Sequence, residues 1–227
     1  MVVCIVQARM TSTRFPGKVM VKVKERPLID YLLERLSFSE KMDKIIIAVP
    51  NTPKNKILGE YLLSQKQTVF YGSETDVLDR YYQAAKSCTA SIIVRITGDC
   101  PLIDWTVIDT LIETFQRNTY DYMSNVLSRT YPVGLDAEVF SYSALEQAWR
   151  EATLPYDREH VTPYLRQSGK FSIGSLTLDK NYSHLRWTLD YKSDLPVIKK
   201  VLEHFHPSQP RFTMNDVLTW MPHAHSL

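Results

Sequence analysis

Several large classes of protein are excluded by what this sequence lacks. Its three cysteines, Cys4, Cys88 and Cys100, are odd in number and show no Cys-x-x-Cys spacing. That argues against a disulfide framework or a thiolate zinc site, and for free thiols in a reducing compartment. No apolar run approaches the roughly 18 residues of a membrane span. The apolar start is too short for a signal peptide and is interrupted by Arg9. The expectation is a cytoplasmic protein with no membrane partner. Internal repeats, low-complexity tracts and an obvious linker are all missing. The net charge of only +2 gives no argument for a nucleic-acid partner.

What is present fits a folded α/β chain. The 227 residues, 44% of them hydrophobic, suffice for one large domain with a full core. Val2, Val3, Ile5 and Val6 read as a buried strand, and Pro27 opens a helix with Leu28, Ile29, Leu32, Leu33 and Leu36 at helical spacing. A β-branched strand follows over 44–49, then a helix over 52–65 with Ile57, Tyr61 and Leu62 expected inward. A strand over 68–71 leads to a helix capped from Ser73 or Thr75, a fourth strand covers 91–97, and Asp104 caps the next helix. This alternation predicts an α/β fold with a mainly parallel central sheet flanked by helices.

The second half reads differently. Strands are expected over 120–125, 135–140, 170–178 and 185–189, and a capping box at Ser143-Ala144-Leu145-Glu146 opens a helix. A helix over 157–167 is expected despite Pro163, and further helices start at Ser193 and Thr213. The expectation is a single domain over 1–227 with an inserted or appended lobe over 120–190. His223 and His225 in the polar tail are read as solvated.

Strand one leaves into Gln7-Ala8-Arg9-Met10-Thr11-Ser12-Thr13-Arg14-Phe15-Pro16-Gly17-Lys18, with three cations, three hydroxyls and no carboxylate. Such a loop suits a polyphosphate, because Arg offers forked donors, Lys a point charge and turn backbone an anion nest. A solvated basic loop is the plainer alternative. The surrounding stretch is a cationic pole: Arg9, Arg14, Lys18, Lys22, Lys24 and Arg26 meet only Glu25. Ligands of open α/β sheets collect beyond the carboxyl ends of the strands. Asp99 in Thr97-Gly98-Asp99-Cys100-Pro101 and Asp190 in Arg186-Trp187-Thr188-Leu189-Asp190 close two apolar runs. Either is a turn or capping Asp, or the pair flanks one Mg2+ carrying a triphosphate.

The run from Val6 to Lys18 resembles the nucleotide-binding signature of the CMP-sugar synthetases such as CMP-Kdo synthetase. Arg95-Ile96-Thr97-Gly98-Asp99-Cys100-Pro101-Leu102 resembles their Gly-Asp-x-Pro segment. Gly134 to Phe140, Asp157 to Tyr164 and Ser183 to Asp190 resemble the spore coat polysaccharide biosynthesis protein F family of cytidylyltransferases. The likeness runs to about Phe205. It implies a glycosyltransferase-A-like (nucleotide-diphospho-sugar transferase) fold, CTP as cosubstrate, Mg2+ as cofactor and a homodimer formed through the second half. It implies a cytidylyltransferase that makes a CMP-activated sugar acid for surface glycans, with Arg9, Lys18 and Asp99 catalytic. By the same resemblance Ala8, Arg14, Asp76, Arg80 and Thr97 join Arg9 and Lys18 around the nucleotide, and Asp99 and Asp190 hold the metal. Thr97 falls where CMP-Kdo synthetases place a Gln near the base. On the acceptor side the candidates are Asp136, Glu138, His160, Tyr164 and Arg186, with His160 and Tyr164 expected on one helical face. Three other readings stay open: a nucleotidyltransferase using a phosphorylated acceptor, a non-catalytic nucleotide-binding protein, and a glycosyltransferase. The last lacks its second carboxylate after Asp99.

Overall fold

A computed structural model describes residues 1–221. The chain begins with β1 (Val2–Gln7), and after the loop a small antiparallel hairpin follows, β2 (Lys22–Val23) and β3 (Arg26–Pro27). Then come α1 (Leu28–Leu36), β4 (Lys44–Pro50), α2 (Pro53–Ser64), β5 (Val69–Gly72), α3 (Val77–Ser87), β6 (Ile92–Thr97) and α4 (Trp105–Arg117). The second half contributes β7 (Tyr122–Ser124), β8 (Glu138–Ser141), α5 (Tyr142–Glu151), α6 (Pro155–His160), α7 (Pro163–Gln167), β9 (Ile173–Ser175), α8 (Leu195–Phe205) and α9 (Met214–Trp220). One sheet runs β5-β4-β1-β6-β8-β7-β9, in which β5, β4, β1 and β6 are parallel and β8 runs antiparallel to both neighbours. This is the α/β architecture the sequence predicts, a nucleotide-diphospho-sugar transferase fold.

Alternation along β1 explains why both faces are covered. Val2, Cys4 and Val6 pack with α1, α2 and α4, while Val3 and Ile5 pack with α3 and α5 on the other face. A third apolar cluster joins α8 and α9 to Leu135, Leu185, Trp187 and Leu189. Arg35 ties it down: fully buried, it donates to the carbonyls of Ile103, Pro210 and Phe212 and lies 3.7 Å from the Phe212 ring centre. Burial pulls its pKa down to about 10. All three cysteines are free and buried. No helix among the described residues is long and apolar enough to cross a membrane.

Five expectations need correction. Ile57 on α2 is 63% exposed; Leu62 is buried as expected, and Asn55, Leu58 and Gly59 join it on the inward face. Gly59 sets that rotation, since a Cβ there would stand 1.9 Å from the Tyr71 hydroxyl. Ser141, not Ser143, caps α5 by accepting from Ala144 N at 3.1 Å. Asp76, not Ser73 or Thr75, caps α3, while Ser73 accepts from Asp76 N. The expected helix over 157–167 breaks at Val161 (φ 71) and Thr162, because Pro163 has no N–H and opens α7. His160 and Tyr164 therefore belong to different helices. The run 185–189 forms no ladder strand; a single bridge pairs Val133 with Arg186. His223 and His225 lie outside the described residues.

Candidate active site

The basic loop is closed by its own backbone. Gly17 N donates to Met10 O at 2.9 Å, with Gly17 at φ 72, and the Asn55 side chain accepts from Met10 N at 2.7 Å. Left-handed backbone at Gly17 turns the chain so that Lys18 points inward, leaving only 7% of the residue exposed. The loop after β6 lies alongside, its Gly98 N donating to Gln7 O at 2.8 Å. A Cβ on Gly98 would stand 3.0 Å from Ala8 Cβ, so a larger residue would wedge the two loops apart.

The segment 185–190 docks on the same place from the far end of the chain. Leu189 N donates to Asp99 O at 2.8 Å and the Thr188 hydroxyl to the same oxygen at 3.1 Å. Those bonds replace the ladder a strand would have had, and they set Asp190 beside Asp99. Both carboxylates converge on one amine: Lys18 Nζ is 2.6 Å from Asp99 Oδ2 and 3.0 Å from Asp190 Oδ1. Asp190 also takes Arg14 at 2.6 Å and Arg186 at 2.9 Å. Asp194 braces the turn, accepting from Asp190 N and Tyr191 N and pairing with Arg186.

Burial drives the Asp99 carboxyl up, but the Lys18 charge and hydrogen bond and the Thr97 hydroxyl outweigh it and hold its pKa below the usual value. Lys18 is the mirror case. Burial pulls its pKa down, and Asp99 and Asp190 together carry it above the ordinary lysine value. Both groups are charged near neutral pH. Two carboxylates that already share one cation fit a hard divalent ion, which takes one or two carboxylates, keeps its waters and accepts phosphate oxygens. Among the described residues no group of three or more His, Cys, Asp or Glu could hold a metal by itself. A cation here would thus be completed by oxygens of the substrate or water.

Three hollows adjoin at this end of the sheet. The first, of about 180 Å³, is lined by Gln7, Ala8, Arg9, Ser12 to Arg14, Lys18 and Thr97 to Asp99. The second, of about 90 Å³, shares Gln7, Ala8 and Arg9 with it and adds Arg80, Glu159 and His160. The third, of about 210 Å³, meets the first at Thr97 and the second at His160, and includes Asp136 and Glu138. Arg9 is exposed and makes no ion pair among the described residues. Thr97 donates to Asp99 Oδ1 at 2.5 Å, so its hydroxyl is committed to orienting a carboxylate.

The other expected residues separate. Arg80 lines the second hollow, one guanidinium nitrogen on Ser73 O. Asp76 lines none of the three; it caps α3 and grips Arg158 through both carboxylate oxygens, tying α3 to α6. Arg186 stands beside Asp190, not with Asp136, Glu138 and His160. Tyr164 is outside all three hollows, its hydroxyl on Glu151 at 2.7 Å and its ring against Phe171. Glu138 is buried with Arg95, Tyr122 and Thr162 around it, and Asp136 is held bidentately by Arg129. Sequence reasoning missed Arg95, Arg129, Arg166 and Asp194. Arg95 pairs with Glu138 across the sheet, Arg129 and Asp194 pair with groups within eight residues, and Arg166 pairs with none among the described residues; no motif marks any of them.

Comparison with known proteins gives the same picture for the whole chain. The model of the family described as Cytidylyltransferase matches residues 3–205. The spore coat polysaccharide biosynthesis protein SpsF of Bacillus subtilis is 32% identical over 209 residues, 88% of this chain and 85% of that protein. A 3-deoxy-manno-octulosonate cytidylyltransferase of Thermodesulfovibrio yellowstonii is 27% identical over 175 residues, 69% of this chain and 66% of that protein. The solved structure of a cytidylyltransferase from Leptospira borgpetersenii superimposes with a TM-score of 0.92 at 32% identity, covering 97% of this chain and 93% of that one. The matched region takes in the basic loop, both carboxylate-bearing turns and the sheet that carries them, and so this chain belongs to the cytidylyltransferase family and is a CTP-dependent nucleotidyltransferase.

Proposed function

We propose that this enzyme transfers CMP from CTP to a sugar acid, releasing pyrophosphate, in the making of a cell-surface polysaccharide. The observation that carries this reading is the meeting of Lys18, Asp99 and Asp190 at the wall of a cationic hollow, with a separate hollow opening past Thr97. The names of the Bacillus and Thermodesulfovibrio relatives support the polysaccharide and the sugar-acid parts. CTP phosphates occupy the first hollow and the base and ribose the second, which Arg9 and Arg80 both line. The acceptor fills the third.

Chemistry needs no covalent enzyme intermediate. The acceptor oxygen attacks the α-phosphorus, the bond from that phosphorus to the pyrophosphate oxygen breaks, and the acceptor proton passes to water. Lys18, Arg9 and Arg14 spread the charge that builds on phosphate oxygens, and Thr97 keeps Asp99 aimed at the same point. Asp99 and Asp190 would hold Mg2+, which when bound neutralises phosphate charge and favours the leaving pyrophosphate.

Pyrophosphate release is the direct test, measured across four nucleoside triphosphates and a panel of sugar acids and phosphorylated sugars. Turnover with CTP and a sugar acid is expected. Turnover confined to phosphorylated acceptors, or preference for another nucleotide, refutes the assignment.

A further inference from the structure

The charges lining the third hollow are almost entirely used up by each other. Glu138 pairs with Arg95 and accepts from the Tyr122 hydroxyl at 2.5 Å and the Thr162 hydroxyl at 2.8 Å. Arg95 gives its other terminal nitrogen to Gln7 at 3.2 Å. Arg129 is spent on Asp136, with both terminal nitrogens on the two carboxylate oxygens at 2.6 and 2.8 Å. Neither pair has a fork left for a ligand. Arg166 is different. It lines the hollow from α7 and makes no ion pair among the described residues; its Nε, like that of Arg95, is buried without a hydrogen-bond partner, but its terminal nitrogens, unlike those of Arg95, are committed to no group among the described residues. A buried guanidinium nitrogen without a partner is costly, and a bound anion would satisfy it.

We propose that Arg166 is the specificity-determining residue that anchors the acceptor's carboxylate. The inference rests on the sugar-acid reading above and goes beyond it by naming the group that selects the acid. The hollow's surplus is a single positive charge, which matches a monoanionic carboxylate. A dianionic phosphate would leave a negative charge unpaired in the same space, which is costly away from water. The guanidinium fork fits both carboxylate oxygens at once, so it fixes orientation as well as charge. Arg166 lines the same hollow as Thr97, the residue shared with the phosphate site. Gripping the acid there holds the rest of the sugar toward the α-phosphorus.

The full chain with CTP, Mg2+ and 3-deoxy-manno-octulosonate tests this, using Arg166→Gln and the acceptor's carboxamide derivative. Losing one partner of a buried charge pair predicts a rise of about 30-fold in acceptor KM. The KM for CTP and the thermal midpoint should hold near wild type. Wild type should prefer the acid to the amide by a similar factor, and in Arg166→Gln that preference should vanish. A purely structural residue would not erase it. Unchanged acceptor KM, or an acid preference that survives the substitution, overturns the anchor while leaving the sugar-acid reading intact. If Arg166→Gln does not fold, Arg166→Lys keeps the charge and loses the fork. A several-fold higher acceptor KM then supports the anchor, and an unchanged one overturns it. A wild-type enzyme that rejects every sugar acid but uses a sugar phosphate overturns the function itself, before any variant is made.

Discussion

Replacing Lys18 by Met keeps a long unbranched side chain and removes the ammonium shared by Asp99 and Asp190. The two carboxylates are not equally exposed to the loss. Asp190 retains Arg14 at 2.6 Å and Arg186 at 2.9 Å, whereas Asp99 retains no cation, only the Thr97 hydroxyl at 2.5 Å and the weak Cys100 thiol donor at 3.6 Å. Breaking a buried pair by deleting one partner costs about 3–5 kcal/mol. The Asp99 side chain is 22% exposed, which sets the loss at the lower end, about 3 kcal/mol. At about 2–4 °C per kcal/mol for a chain of this size, the melting midpoint at pH 7 should fall by roughly 6–12 °C. Acid should close the gap. A carboxyl whose folded pKa is depressed stabilises the protein above its unfolded value, and that contribution disappears as pH falls through the folded value. Wild type therefore loses the Asp99 contribution below about pH 4, while the variant has none to lose. With the ammonium gone, Mg2+ without nucleotide should raise the variant's midpoint more than wild type's, since no cation then bridges Asp99 and Asp190. Thermal melts over pH 3–8, with and without Mg2+, measure all three. Midpoints within about 2 °C of wild type at pH 7, with parallel pH curves, would refute the idea that Lys18 neutralises this pair.

How much of this was legible in the sequence depends on whether the signal was local. The parallel half was readable because β1, β4 and β6 are apolar runs ended by turn residues, and because α1, α3 and α4 carry apolar stripes at helical spacing. Asp99 and Asp190 were visible as acids closing such runs. Their meeting was one of the two readings left open for them and what the resemblance implies, but the contact that makes it, Leu189 N reaching Asp99 O, spans most of the chain and carries no local signal. The apolar run 185–189 reads as a strand, yet its backbone bonds to a loop and to Val133, so burial produced a strand-like pattern without a ladder. α2 misled for a different reason. Its inward face is set by Gly59 under Tyr71 and by polar Asn55 holding the loop, and neither registers as hydrophobic. Arg166 left no trace, since an unpaired charge is defined by partners that other arginines have taken.

Three further outcomes are expected. Asp99→Asn and Asp190→Asn should each lower kcat for pyrophosphate release at least about a hundredfold with the fold retained, because each removes a carboxylate that would hold the cation neutralising the phosphate charge; wild-type turnover in either would make that residue structural. Glu138→Gln should cost about 3–5 kcal/mol at pH 7. Burial raises the Glu138 carboxyl's pKa, but Arg95, Tyr122 and Thr162 bring it below the ordinary value, so its contribution is present above about pH 4.3 and lost as pH falls through the depressed value. Melts from pH 3 to 7 should accordingly show the variant lacking part of wild type's acid-limb loss. The last expectation concerns Gly134, which holds the second carboxylate in place without touching it. At φ 108 its backbone is closed to residues with a Cβ, and an added Cβ would stand 2.5 Å from Trp187 C and 2.6 Å from Thr188 N. Those are backbone atoms of the segment that ends in Asp190, so Gly134→Ala must push that segment off the Asp99 turn. Gly169 is the control: it too has positive φ, 72, but a Cβ there meets nothing within 4 Å. Gly169→Ala should cost only the left-handed backbone penalty of about 1–2 kcal/mol and leave turnover alone. Gly134→Ala should lose more stability than that and, in addition, activity, because Lys18 can no longer touch both carboxylates at once. Equal midpoints for the two variants, with full turnover in Gly134→Ala, would mean that Asp190 is positioned by something other than this backbone contact.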